Sequence, residues 1–177
     1  MSEIRAERLT ADVGGEFVVF LIGMRVNRFW KLWRWGPVAL AMARMLRELE
    51  ADPGAGLLGV EAWPGRTTVL VQYWRSFELL ERYATDAARV HRPAWTAFNR
   101  AIGSNGDVGI WHETYRVRPG DYECVYNNMP LFGLAKATRA VPATGRRETA
   151  PGRMAATPPA SGDAPPVAGR GVQRPWS

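Results

Sequence analysis

The sequence predicts an α+β fold, an antiparallel sheet threaded in the order β-α-β-β-α-β with its helices on one face. Three observations carry that expectation. The run FVVFLIGMRV at residues 17–26 is β-branched and aromatic, as a buried strand is. Residues 56–63 and 67–75 are two further apolar runs, joined by the hairpin signal Pro64-Gly65-Arg66. Elsewhere the apolar residues switch to helical spacing, at Val38, Met42, Met45, Leu46 and Leu49 and again at Phe77, Leu80, Ala84 and Ala87.

The elements follow in order. The first strand is entered through Gly14-Gly15, and one of its faces becomes polar at Arg25 and Asn27. Residues 29–35 read as a loop or short helical turn dense in aromatics. Pro37 suits the first position of a helix, which stops before Asp52-Pro53-Gly54. Ser76 is a candidate N-cap for the second helix, which Pro93 should kink. A further helical piece, 93–102, ends at Gly103-Ser104-Asn105-Gly106, and residues 108–117 form the fourth strand. A fifth strand is expected at 122–127, after Pro119-Gly120-Asp121, and a short helix at 131–137. This order is the split βαβ, or ferredoxin-like, arrangement. Its strands are apolar on both faces, so the face without helices needs cover, and a homodimer is expected.

Composition divides the chain further. Residues 1–14 are expected to be a flexible N-terminus, 15–137 the folded domain and 138–177 a disordered tail. That tail holds seven of the thirteen prolines and shows no periodicity. The net charge of +6 splits into +4 on the tail and +2 on the first 137 residues. A nucleic-acid domain should show its charge on a folded face, so no nucleic-acid partner is expected. A single cysteine, Cys124, allows no internal disulfide and no cysteine-based zinc site. The amino terminus lacks a signal-peptide core and the longest apolar run is far short of a membrane span, so a cytoplasmic protein without stable membrane insertion is expected. Gly54-Ala55-Gly56 lacks both the Walker lysine and the dinucleotide fingerprint, and no flavin or nicotinamide signature is present.

Two histidines concentrate the candidate chemistry. His112 shares a strand face with Ile110 and Thr114, while Trp111, Glu113 and Tyr115 share the other. His112 is therefore a general base or a structural histidine, but no dyad with Glu113. His91 continues the helical stripe of Phe77, Leu80, Ala84 and Ala87 towards the sheet. Arg25 and Asn27 on the first strand, and Gln72 and Trp74 on the third, are polar groups on central neighbours. They could steady an anion, or Arg25 could simply pair with Glu61 or Glu113. Trp74, Trp95, Trp111 and Tyr115, with Gln72, are candidates to line an aromatic substrate pocket.

Several motifs bear on kinship: Phe20-Leu21-Ile22-Gly23-Met24-Arg25, Gly56-Leu57-Leu58-Gly59, Gln72-Tyr73-Trp74-Arg75-Ser76, and Tyr83-Ala84 with His91 and Ala94-Trp95. Gly109-Ile110-Trp111-His112-Glu113-Thr114-Tyr115, and Tyr122-Glu123 with Tyr126-Asn127-Asn128-Met129-Pro130, complete the set. With the element order, they resemble the dimeric α+β barrel superfamily of small oxygenases and haem-binding proteins. Within it, the chain is similar to the family named after a small monooxygenase of fumagillin biosynthesis, over roughly residues 15–137. The resemblance implies a small monooxygenase acting on a hydrophobic secondary metabolite such as a polyene, phenol or enol. It leaves two alternatives: a haem enzyme of oxygenase, dehydratase or peroxidase type with His91 as the iron ligand, and a non-catalytic binder of a hydrophobic ligand. Cofactor use is accordingly none or haem.

Overall fold

The computed structural model describes residues 3–86 and 105–155. Its strands are β1 (Arg5–Asp12), β2 (Phe17–Val26), β3 (Leu57–Trp63), β4 (Thr67–Trp74), β5 (Val108–Val117), β6 (Tyr126–Met129) and β7 (Arg139–Pro142). The helices are α1 (Leu32–Ala51), α2 (Phe77–Thr85), α3 (Gly133–Ala137) and α4 (Ala150–Met154). The main sheet has the order β3-β4-β2-β5 with every neighbouring pair antiparallel. That is the ferredoxin-like order, with the most apolar strand, β2, at the centre.

β2 pairs along its whole length with β5, from Phe17 opposite Val117 to Val26 opposite Val108. Alternation then sorts its side chains. Val18 packs with Trp74, Leu49, Leu80 and Tyr83 beneath the helices, and Met24 and Val26 pack with Val38 and Val108. α2 is capped as the sequence implies: Ser76 Oγ accepts a hydrogen bond from the Leu79 amide at 3.3 Å.

α1 begins earlier than expected, so Pro37 lies inside it rather than at its first position. The reason is electrostatic. Arg28, Lys31 and Arg34 recur three residues apart, and all three meet the buried carboxylate of Asp107, which offsets their mutual repulsion.

The opposite face of the sheet is only partly bare. A second sheet, β6-β1-β7, together with α3, covers one end of it, where Phe17 packs with Ala11, Leu134 and Ala135. A Cβ on Gly59 would come within 2.8 Å of the Ala137 side chain, so this glycine lets α3 lie against β3. This corrects two expectations. Residues 5–12 of the supposedly flexible N-terminus form β1, and residues 139–154 of the supposedly disordered tail contain β7 and α4. Asp12 ties the two together, pairing with Arg139 and, at 3.1 Å, with Arg147. The fifth strand also sits later than expected, as β6. The rest of the tail, 156–177, lies outside the described residues.

Candidate functional site

A cavity of about 50 Å³ lies between the helix-bearing face of the sheet and the two long helices. Phe20 and Ile22 of β2, with Leu70, Gln72 and Trp74 of β4, form its floor. Register puts them there: Phe20 stands opposite Gln72 and Ile22 opposite Leu70, so all five project to one side. Met42, Met45 and Leu46 of α1 and Leu80 and Tyr83 of α2 form the roof. Unbranched methionines suit such a wall, because they adapt to irregular shapes.

Gln72 is the polar head of this chamber. It is 5 % exposed, and Trp74 beside it is 0 % exposed. Trp74 Nε1 donates to Gln72 Oε1 at 2.9 Å. That bond fixes the carboxamide by its oxygen and leaves its –NH2 group to donate. The Tyr83 ring leans on Trp74, with centroids 5.8 Å apart, while its hydroxyl donates to the Met45 carbonyl at 3.4 Å. An apolar hollow with one carboxamide in its lining can hold a small neutral molecule by a carbonyl or hydroxyl oxygen.

The other candidate residues separate. His112 stands opposite Ile22 and shares the cavity's face, but it is exposed and outside the lining; its ring centroid lies 5.8 Å from that of Phe20. Arg25 projects from the other face, opposite Thr67, and donates to Thr67 Oγ1 at 2.7 Å. Asn27 lies beyond the end of β2 and donates to the Gly106 carbonyl at 3.1 Å. Arg25 and Asn27 therefore do not join Gln72 and Trp74, because antiparallel register pairs them with the strand ends. Nor does Arg25 pair with Glu61, which binds Lys136 at 3.0 Å. Trp111 and Tyr115 also belong to the far face, the Tyr115 hydroxyl donating to Glu113. The Trp111 indole N–H is buried there without a partner, close to Gly23. His91 and Trp95 lie outside the described residues.

Two features escaped the sequence reading. One is the methionine-lined roof, whose only signal is the helical stripe of α1. The other is Asp107, 2 % exposed at the start of β5. The Lys31 hydrogen bond, aided by the charges of Arg28 and Arg34, holds its carboxyl below the usual aspartate value despite burial.

The sequence profile of the monooxygenase af470-like family matches residues 17–134. The chain belongs to this family. Monooxygenase af470 of Aspergillus fumigatus is 28 % identical over 125 residues, covering 64 % of this chain and 43 % of that protein. The crystal structure of an aldoxime dehydratase in complex with butyraldoxime superposes with a TM-score of 0.56 at 14 % identity, over 73 % of this chain and 42 % of that one. Its likeness is one of fold. SnoaB, a cofactor-independent oxygenase from Streptomyces nogalater, superposes with a TM-score of 0.39 at 16 % identity, over 58 % of this chain and 94 % of that one. The chain thus spans less than half the length of af470 and of the dehydratase.

Haem needs a ligand. Among the described residues no histidine or cysteine lines the cavity, and His91, the iron ligand of the haem alternative, lies outside them. No helix among the described residues is long and apolar enough to cross a membrane.

Proposed function

We propose that this family member is a small monooxygenase acting on a hydrophobic, oxidation-prone metabolite such as a phenol, enol or polyene. The observation that carries the reading is the Gln72 carboxamide, pinned by Trp74 and presenting its donors to an apolar chamber. A phenol bound there would keep its oxygen on the Gln72 –NH2 group while its carbon skeleton lies among Met42, Met45 and Leu46. Donors fixed before the reaction stabilise the phenolate as its charge develops, without solvent reorganisation. The stoichiometry closes without an external reductant. A phenol and O2 give a quinone and water, the phenol supplying all four electrons, with one oxygen atom entering the product. His112, exposed one aromatic ring beyond the lining, would take the phenolic proton through an intervening water.

Oxygen uptake with a panel of phenols and enols tests the reading, with 18O2 reporting one labelled atom in the product. Gln72→Leu should lower kcat/KM by roughly 10- to 100-fold, the value of hydrogen bonds to a charged oxygen. Ligand binding without oxygen uptake from any member of the panel would favour the non-catalytic binder.

A homodimer belongs to the same proposal. The chain covers 43 % and 42 % of two longer relatives, so two copies would supply a comparable length. The uncovered half of the far sheet face, with Leu21, Val71 and Trp111, is where the second copy would pack. A monomeric mass by light scattering at micromolar concentration would end that part of it.

A further inference from the structure

We propose that the outer face of α1 and the turn before it form a docking surface for anionic lipid bilayers. The segment RFWKLWRW carries three tryptophans, and the structure gives them two different fates. Trp35 is structural: it is half-buried against Val38 and its Nε1 donates to the Phe29 carbonyl at 3.0 Å. Trp30 and Trp33 point outward, 71 % and 68 % exposed. Leu32 and Leu40 are exposed beside them, at 58 % and 62 %. Along α1, Trp33, Pro37, Leu40, Arg44 and Arg47 follow at intervals of four and three residues, so apolar and then cationic side chains share one stripe. Large apolar groups are not left together in water without a use.

Charge selects the occupant. From residue 25 to residue 47 the chain holds six Arg and Lys and no Asp or Glu. The buried Asp107 offsets one of the three cations it gathers and leaves an excess of two at the base of the aromatic turn. Indole rings ringed by cations match the bilayer interface, where Trp sits at headgroup level and Arg and Lys meet anionic lipid. A rigid helix with its aromatic end pinned by Asp107 also carries little ordering cost on docking. The inner face of the same helix supplies Met42 and Met45 to the chamber, so a docked protein would hold its cavity one helix away from lipid-dissolved molecules. That last consequence rests on the proposed oxygenase reading; the docking does not.

The test is flotation of the full chain with vesicles of phosphatidylcholine alone and with about 30 % phosphatidylglycerol, at low and high salt. Binding is expected on the anionic vesicles at low salt and should weaken at high salt. Trp30→Ala with Trp33→Ala should lower partitioning by roughly 100-fold, each exposed ring being worth about tenfold or more. Arg44→Gln with Arg47→Gln should lower it by roughly 30-fold, at about 1 kcal/mol per cation. The second pair keeps the test decisive if the first alters folding. No flotation of the parent protein, or undiminished flotation of both variants, overturns the proposal. So does a dimer that dissociates on the tryptophan substitutions, because a second copy would then own the surface. The readout is vesicle binding, so its failure leaves the oxygenase reading standing.

Discussion

The Trp74–Gln72 hydrogen bond makes a demand on stability that a double-mutant cycle can read. Trp74→Phe removes the Nε1 donor and leaves Gln72 Oε1 unpaired at a position 5 % exposed. An unsatisfied buried acceptor costs about 1–3 kcal/mol, and the void left by the smaller ring adds about 1 kcal/mol, so the single change should cost about 2–4 kcal/mol. Gln72→Leu orphans the indole N–H instead. Its cost is about 1–3 kcal/mol, reduced by the apolar contacts that leucine gains in the chamber. In the double variant neither orphan exists. Only the void remains, so the pair should be less destabilised than Trp74→Phe alone.

The cycle should therefore return a coupling of about 2–6 kcal/mol, the two orphan costs together, with the double variant more stable than the sum of the singles. Urea unfolding followed by circular dichroism measures it, provided that the m-values agree. In a domain of this size each kcal/mol moves Tm by roughly 2–4 °C, so the Trp74→Phe loss is large enough to see by thermal melting. Singles that add to within about 0.5 kcal/mol would refute the claim that the carboxamide is held by the indole. The double variant also separates folding from function. It should be folded yet bind a phenol no better than Gln72→Leu does.

Gly23→Ala tests the sheet itself: its Cβ would collide with the Thr68 carbonyl oxygen and reach within 2.8 Å of Trp111 Nε1. Forcing β2 from β4 should cost about 1–3 kcal/mol or more, and a variant as stable as the parent in urea would contradict the packing described here. Asp107 sets an acid limb. Its folded pKa lies below the ordinary 3.8, so its stabilisation is complete above about pH 4 and is lost as pH falls through the folded value. Asp107→Asn should lower the urea midpoint at pH 7 and flatten the decline below pH 4, and parallel acid limbs for the two proteins would exclude this role.

The main sheet was legible because its signals are local. The β-branched and aromatic run at 17–26, the strand pattern of 108–117, the Pro64-Gly65-Arg66 turn and the Ser76 cap each act within a few residues. β1 was not legible. Only Leu9, Thr10 and Ala11 of its eight residues are buried, and its partners β6 and β7 lie more than a hundred residues further along the chain. Strand pairing at that separation depends on tertiary context rather than local pattern. β7 was hidden for the same reason inside a run rich in Ala, Pro and Arg. Of the candidate site, Gln72 and Trp74 were visible as polar groups on a central strand. Their separation from Arg25 follows from register: Arg25 stands opposite Thr67, five residues away from Gln72.

That separation has a chemical consequence. A guanidinium aimed into an apolar hollow of about 50 Å³ would carry a desolvation penalty of several kcal/mol and would demand an anionic ligand to offset it. The chamber has a neutral carboxamide there instead, with its acceptor end already satisfied by Trp74. Such a group favours a ligand that arrives neutral and presents an oxygen, and it disfavours a carboxylate, whose charge it could not balance. In the proposed reading such a ligand would acquire charge only after it is enclosed, by losing a proton, at the moment when fixed donors are worth most. Under the proposed oxygenase reading, neutral and weakly acidic phenols should therefore bind better than their carboxylate analogues, and equal binding of the two would count against Gln72 as the recognising group.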